Sequence, residues 1–132
     1  MSAVLDASAC LVYLQREAGA EVVAEVLAHG AYISAVNLAE VLSKLAEWGQ
    51  DPEQAYLQMM NRGLLGGMLE VTPLLPEECA FIARLRPMSK DLGLSLGDRA
   101  CLALGVKLGL PVLTTDREWR KLALNMEVRV VR

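Results

Sequence analysis

The sequence predicts an α/β fold in which helices cover both faces of a short central parallel sheet, giving a three-layer α/β/α sandwich. Short, continuous apolar segments alternate along the chain with longer segments whose apolar residues recur at helical spacing. Continuous apolar strands separated by helices are typical of parallel sheets that are buried on both faces. The 132 residues are 54% apolar and only 5% aromatic, which predicts one domain with an aliphatic core.

The predicted strands are short apolar runs bounded by acidic or turn-forming residues. Residues 3–5 form the first strand, which ends at Asp6. Gly30 ends a helix and precedes the second strand, residues 31–34. The remaining strands are expected at residues 69–72, 111–115 and 128–131.

The predicted helices are bounded by residues that suit helix ends. Asp51 and Pro52 form a helix start, because Asp caps well and Pro fits the first helical position. Ser95 and Asp98 have the spacing of a capping box. Helices are expected at about residues 9–14, 22–29, 35–48, 52–65, 76–85 and 95–108, with a short one after Asp116.

Composition excludes several classes of protein. No window approaches the roughly 18 uncharged apolar residues of a membrane span, and the N-terminus lacks the basic region of a signal peptide. The three cysteines are far apart, and the chain has a single His, which disfavours a disulfide framework or a zinc site. We therefore expect a cytoplasmic protein with no membrane partner.

The net charge of −3 conceals an asymmetry along the chain. Residues 1–83 hold 3 basic and 11 acidic side chains, whereas residues 84–132 hold 10 basic and 5 acidic ones. Such an asymmetry within one domain is compatible with a polyanionic partner. An ordinary solvated surface explains it equally well.

Four carboxylates stand out because they follow predicted strands or have mostly apolar neighbours in sequence. Asp6 and Asp116 follow strands, Glu40 lies in mid-helix, and Asp98 lies at a helix start. In open α/β sheets, ligands bind outside the carboxyl ends of the strands. Carboxylates that converge there need a cation, and oxygen ligands without His or Cys favour Mg²⁺ or Mn²⁺. The chemistry expected of such a site is metal-assisted phosphodiester hydrolysis.

Each acid taken alone also has a simpler explanation. Asp6 and Asp116 could be helix caps, and Asp98 could simply complete the capping box. Glu40 could pair with Lys44, four residues further along the same helix. The sequence leaves these alternatives open.

Four segments resemble the signature segments of the PIN-domain ribonucleases. They are Asp-Ala-Ser-Ala at residues 6–9, Ser-Ala-Val-Asn-Leu-Ala-Glu-Val at 34–41, Leu-Ser-Leu-Gly-Asp-Arg at 94–99 and Leu-Thr-Thr-Asp at 113–116. Within that superfamily the sequence is most similar to the VapC-type toxins of toxin–antitoxin pairs. The resemblance covers essentially the whole chain, so residues 1–132 are expected to form a single PIN domain.

The resemblance implies a Mg²⁺- or Mn²⁺-dependent endoribonuclease that acts on RNA as a homodimer and binds a small cognate antitoxin. Thr114 and Thr115 stand where many relatives have one hydroxyl residue and a small residue, so either could assist the site. The implied catalytic and metal-binding residues are Asp6, Glu40, Asp98 and Asp116. The implied supporting polar residues are Ser8, Asn37 and Thr115.

Basic residues near the last two acids are candidates for RNA binding, because Lys and Arg contacts to phosphates supply sequence-independent affinity. The candidates are Arg99, Arg117, Arg120 and Lys121. Arg120 and Lys121 could instead be favourable charges late in a short helix. Trp119 is expected in the core rather than stacked on a base.

Other phosphate chemistries lack their motifs in this sequence. The chain has neither the G-x-G-x-x-G of dinucleotide-binding folds nor the G-x-x-x-x-G-K-[ST] of a P-loop. Two alternatives to a toxin remain. One is a non-catalytic interaction module with the same fold, and the other is a housekeeping RNA-processing nuclease with the same site.

Overall fold

The computed structural model describes residues 2–132 and has the predicted alternation of strands and helices. The strands are β1 (Ala3–Leu5), β2 (Ala31–Ser34), β3 (Leu69–Thr72), β4 (Val112–Thr114) and β5 (Val128–Val130). The helices are α1 (Ala7–Gln15), α2 (Ala20–His29), α3 (Ala35–Glu47), α4 (Pro52–Asn61), α5 (Cys79–Met88) and α6 (Leu96–Leu108). Short 3-10 helices lie at Pro76–Glu78, Lys90–Leu92 and Arg117–Lys121.

The five strands form one parallel sheet in the order β3-β2-β1-β4-β5. The central strand is β1, in which Leu5 pairs with Ile33 of β2 and with Leu113 of β4. The predicted α/β class with a short parallel sheet is therefore confirmed. Because all strands run the same way, the carboxyl ends of β1, β2 and β4 lie at one edge of the sheet.

Two cores lie on opposite faces of the sheet, because successive strand residues point to opposite sides. Leu5 faces a core built with α1 to α4, whereas Val4 faces a core built with α5 and α6. Both side chains are fully buried. Helices on both faces give the three-layer α/β/α arrangement. Trp119 is only 1% exposed and packs in the second core, as the sequence predicted.

Helix α4 is shorter than predicted, since it ends at Asn61 and not near residue 65. Gly63 follows the helix with φ +79°, a left-handed conformation that commonly ends helices. The N–H groups of Leu64 and Leu65 both bond back to the Met59 carbonyl, so both leucines turn into the core. The apolar side chains of Leu64 and Leu65, from which the helix was predicted to continue to residue 65, are buried in a turn instead.

Helix α5 reaches Met88, three residues beyond the predicted end, and its first turn is the separate 3-10 helix Pro76–Glu78. The caps predicted for α4 and α6 are present. Asp51 accepts from the Glu53 N–H, and Ser95 forms a capping box with Asp98. Within residues 2–132, every helix is too short or too polar to cross a membrane.

Candidate active site

Asp6 lies at the carboxyl end of the central strand and caps helix α1. It is only 4% exposed, and both of its carboxylate oxygens accept hydrogen bonds. Oδ1 accepts from the Ala9 N–H at 2.8 Å and from the Ser8 hydroxyl at 2.7 Å. Oδ2 accepts from the Thr114 hydroxyl at 2.6 Å. The side chain is thus held in one orientation by residues of α1 and β4.

Burial raises the pKa of Asp6 from 3.8 to about 6. The hydrogen bonds from Thr114, Ser8 and Ala9 act in the opposite direction, and the negative charge of Asp98 adds to the increase in pKa. Desolvation disfavours a charged carboxylate, whereas a nearby cation favours it. Ionised Asp6 is therefore in an environment that a bound cation would stabilise.

Glu40 projects from α3 toward the first turn of α6. Its Oε1 accepts a 2.8 Å hydrogen bond from the side-chain amide of Asn37, one turn earlier. The same amide donates to the Gly97 carbonyl at 3.0 Å, which ties α3 to α6. Asn37 and Glu40 share a helix face, as their i,i+3 spacing predicted.

Asp98 lies in the first turn of α6 and completes the capping box. Its Oδ2 accepts from the Ser95 N–H at 2.9 Å, while the Ser95 hydroxyl accepts from the Asp98 N–H at 3.1 Å. Among residues 2–132, no group donates a hydrogen bond to Asp98 Oδ1 or to Glu40 Oε2. Each of these two acids therefore has one oxygen free for a ligand.

One cavity of about 620 Å³ brings Asp6, Glu40 and Asp98 together. Burial raises the pKa of the Cys101 thiol in α6, and the negative charges of the same three acids add to the increase. The three acids are therefore close to one another in the fold, although they come from three separate segments of the chain. The other lining residues are Ala7, Ser8, Leu11, Val36, Ala39, Ser43, Lys44 and Glu47.

The cap and capping-box explanations of the acids are also correct. Asp6, Asp98 and Asp116 all bond to main-chain N–H groups at helix starts, so for Asp6 and Asp98 capping and cavity lining go together. The alternative explanation of Glu40 is not observed. Lys44 pairs instead with Glu47, with 3.5 Å between Nζ and Oε2.

Asp116 lies after β4 and is exposed, outside the residues that line the cavity. Its Oδ1 accepts from the Glu118 N–H, and its own N–H donates to the Thr114 hydroxyl at 3.1 Å. Asp116 is therefore connected to Asp6 through Thr114 rather than gathered with the other three acids.

The two threonines before Asp116 make different contacts. Thr114 is fully buried and holds Asp6 through its hydroxyl, whereas Thr115 donates its main-chain N–H to the Ser8 hydroxyl at 3.0 Å. The sequence placed Thr115 beside the site but did not choose between the two hydroxyls. Thr114 is the last residue of β4 and Thr115 follows the strand, and no feature of the sequence distinguished the two hydroxyls.

The basic candidates lie outside the cavity lining as the structure describes it. Arg99 is half-buried, and its Nη1 donates to the Ile82 carbonyl at 3.2 Å, which ties α6 to α5. Arg117 and Arg120 are exposed on the 3-10 helix after Asp116. Lys121 on the same helix pairs with Glu118, with 2.6 Å between Nζ and Oε2.

The donor set of the cavity suits a hard divalent cation, since it consists of carboxylate oxygens with no His. Within the described part of the chain, no three His, Cys, Asp or Glu side chains form a ready-made metal cluster. Asp6, Glu40 and Asp98 nevertheless line one space, and among residues 2–132 no cation pairs with the desolvated Asp6 carboxylate, because Lys44 of the same lining pairs with Glu47. The chemistry of these three oxygen donors therefore suits a hard divalent cation.

Comparisons of structure reveal the same fold in several solved proteins. VapBC2 from Rickettsia felis, bound to a DNA fragment from its promoter, matches with a TM-score of 0.75 and 16% identity over all of both chains. FitAcB from Neisseria gonorrhoeae matches with a TM-score of 0.70 and 20% identity, over 98% of this chain and 96% of its own.

A third structure is VapBC-5 from Mycobacterium tuberculosis, a member of the VapBC family of toxin–antitoxin systems. It matches with a TM-score of 0.58 and 20% identity, over 99% of this chain and 98% of its own. No curated protein sequence matches the chain. The PIN domain family model matches residues 3–125. Since that match takes in all four signature segments, from the end of β1 to the turn after β4, the chain belongs to the PIN domain family.

Proposed function

We propose that the protein is a divalent-metal-dependent endoribonuclease and the toxin of a toxin–antitoxin pair. The observation that carries the proposal is the meeting of Asp6, Glu40 and Asp98 in one cavity at the carboxyl edge of a PIN-domain sheet. Burial and the nearby charge of Asp98 raise the pKa of Asp6, so the ionised Asp6 carboxylate is costly to keep there without a cation. A site that binds a cation and a phosphate explains why they are together.

Asp6, Glu40 and Asp98 would hold Mg²⁺ or Mn²⁺, with Asp116 at the margin of the site. An ion held there would supply positive charge to a phosphate and lower the pKa of a water molecule. The chain's own contribution is orientation. Thr114 and Ser8 fix the Asp6 carboxylate, and Asn37 fixes that of Glu40. The free oxygens of Glu40 and Asp98 remain for the ion.

RNA would be held by the exposed cations of the 3-10 helix that follows Asp116. Arg117 and Arg120 are solvent-exposed, and both are free to contact phosphates. Lys121 would contribute less, because Glu118 pairs with it. Arg99 would act mainly in packing α6 against α5, since it is half-buried and bonded to a main-chain carbonyl.

Support for the toxin role comes from solved proteins with the same fold that belong to toxin–antitoxin pairs. VapBC-5 is a member of a toxin–antitoxin family, and another match is a toxin–antitoxin complex from Klebsiella pneumoniae. By analogy we propose a small cognate antitoxin as a partner and a homodimer as the active assembly. Exposed apolar side chains, including Trp48 at the end of α3 and Leu57 on α4, provide surface for such contacts.

The test is to incubate the purified protein with structured RNAs in Mg²⁺, in Mn²⁺ and in EDTA, beside an Asp98→Asn variant. Asn can still accept the Ser95 hydrogen bond, so the fold is expected to persist while a ligand is lost. Asp51→Asn is a matched control, because Asp51 also caps a helix but lies outside the cavity. We expect cleavage by the parent and by Asp51→Asn, and none with Asp98→Asn or EDTA.

Cleavage that persists in EDTA, or that is equal in Asp98→Asn, contradicts the metal-acid site. Failure to cut any RNA, together with tight binding to a small protein, favours the non-catalytic interaction module. Expression in cells separates the toxin from a housekeeping nuclease. A toxin stops growth, and co-expression of its antitoxin restores it.

A further inference from the structure

Gly97 is the second residue of α6 and lies directly before Asp98. It is buried, and the Glu40 side chain occupies the space next to its α-carbon. A Cβ atom at this position would overlap both carboxylate oxygens and the Cδ atom of Glu40. The absence of a side chain at Gly97 therefore creates the slot in which the Glu40 carboxylate lies.

Asn37 binds both the carboxylate in this slot and the main chain of Gly97. This side chain is only 1% exposed, and its amide nitrogen donates both to Glu40 Oε1 at 2.8 Å and to the Gly97 carbonyl at 3.0 Å. Both partners are acceptors, so the amide orientation is determined. Gly97 therefore affects Glu40 in two ways. The space beside the Gly97 α-carbon holds the Glu40 carboxylate, and the Gly97 carbonyl binds the Asn37 amide that also donates to Glu40.

We propose that Gly97 is a positioning residue that holds the Glu40 carboxylate at the cation site. The inference rests on the proposed function, because it assigns Glu40 to that site. Any side chain at position 97 displaces the carboxylate. The atoms displaced are the end of a flexible side chain, so Glu40 rotates away and the backbone of α6 stays in place. A substitution at position 97 is therefore expected to disturb the Glu40 carboxylate while leaving the stability of the fold nearly unchanged.

The first experiment compares the parent with Gly97→Ala in metal-free solution. The readout is the NMR signal pair of the Asn37 side-chain amide, identified by its absence in Asn37→Ala. We expect this signal pair to shift in Gly97→Ala, because the hydrogen bond to Glu40 is broken. The midpoint of thermal unfolding is expected to stay within about 3 °C of the parent or to rise, because Ala favours helix more than Gly does.

The second experiment measures Mn²⁺ binding by titration calorimetry. Gly97→Ala is expected to weaken binding about 10- to 100-fold, the usual effect of losing a group that orients a metal ligand. In a Glu40→Asp background the shorter side chain no longer reaches the slot. In this background, Gly97→Ala is expected to change the Mn²⁺ affinity by less than about two-fold. The two substitutions would then not be additive, as expected when one residue acts through the other.

Gly105→Ala is the control for a glycine substitution in the same helix. A Cβ at Gly105 would meet side-chain methyl groups of Val112 and Met126, away from Glu40. We expect a lower unfolding midpoint with unchanged Asn37 signals and unchanged Mn²⁺ affinity. This pattern is the reverse of that expected for Gly97→Ala.

Unchanged Asn37 signals in Gly97→Ala overturn the proposal, as does an equal effect of Gly97→Ala on Mn²⁺ binding in the parent and in the Glu40→Asp background. A parent protein that binds no Mn²⁺ contradicts the proposed function instead. In that case the metal-free Asn37 signals still decide whether Gly97 positions Glu40.

Discussion

The Thr114 hydroxyl donates a 2.6 Å hydrogen bond to Asp6 Oδ2, although the two residues are 108 positions apart in the chain. The same hydroxyl accepts the N–H of Asp116 at 3.1 Å. One buried oxygen thus connects the acid at the end of β1 with the acid that follows β4. Parallel pairing of β1 with β4 makes this contact, because it brings the two strand ends side by side.

Thr114→Val removes this hydroxyl while keeping the shape of the side chain. We expect the free energy of unfolding to fall by about 1–3 kcal/mol, because a buried carboxylate loses a hydrogen-bond donor. We expect the RNA cleavage rate to fall about 10- to 100-fold, since Asp6 is no longer held in one orientation. Chemical denaturation and single-turnover cleavage measure the two effects.

Thr115→Val is the matched comparison, since Thr115 contacts Ser8 through its main chain. Its effect on cleavage is expected to be smaller than that of Thr114→Val. A larger effect would assign the functional hydroxyl to Thr115 and contradict the role given to Thr114.

The raised pKa of Asp6 predicts a dependence of stability on pH. Its pKa in the fold is about 6, above the ordinary 3.8, so the folded state holds the proton more tightly than the unfolded state. Stability from this group is therefore present below pH 3.8 and is lost as the pH rises through about 6. The loss amounts to about 3 kcal/mol, at 1.36 kcal/mol for each pKa unit.

The measurement is the free energy of unfolding of the parent and of Asp6→Asn in EDTA between pH 4 and pH 7.5. We expect the free energy of unfolding of Asp6→Asn to rise relative to that of the parent as the pH increases over this range. Saturating Mn²⁺ should reduce this pH-dependent difference in unfolding free energy, because a bound cation stabilises the ionised Asp6 that only the parent has. A constant difference between the two proteins in EDTA would contradict the raised pKa.

Much of the fold follows from local features of the sequence. Short apolar strands and capping residues predicted the parallel sheet, and the caps at Asp51 and Ser95 lie where they were expected. The end of α4 was predicted too late, because Leu64 and Leu65 are buried in a turn and their apolar character does not distinguish a turn from a helix. Local patterns identify burial more reliably than they identify element ends.

Three of the four acids predicted from the sequence line one cavity, whereas Asp116 lies outside it, and the surroundings of these acids were not predicted. Asp6, Glu40 and Asp98 were named from the sequence, and they line one cavity. Thr114 and Gly97 act on those acids across 108 and 57 positions of the chain, respectively. No local pattern reports such contacts, because they depend on how β4 and α6 pack against the first half of the chain.

The exposed cations after Asp116 predict how RNA affinity responds to salt. Replacing Arg117 or Arg120 with Ala is expected to weaken RNA binding and to reduce the slope of log affinity against log salt by about 1 for each phosphate that the side chain neutralises. Lys121→Ala is expected to have a smaller effect, because Glu118 pairs with Lys121. Fluorescence anisotropy at several salt concentrations measures the slopes.

Arg62→Ala is the control for these charge changes, because Arg62 is an exposed arginine at the end of α4 in the acidic half of the chain. We expect its salt slope to equal that of the parent. An equal reduction of the slope in Arg62→Ala and Arg120→Ala would mean that RNA does not prefer the surface beside Asp116.

The central claim is that Asp6, Glu40 and Asp98 together bind a divalent cation. The most direct test is a crystal of the protein soaked in Mn²⁺, with an anomalous difference map recorded near the manganese absorption edge. We predict an anomalous peak in the cavity, about 2 Å from carboxylate oxygens of these three residues. A fully soaked crystal with no peak there, or with manganese bound only elsewhere, would contradict the account.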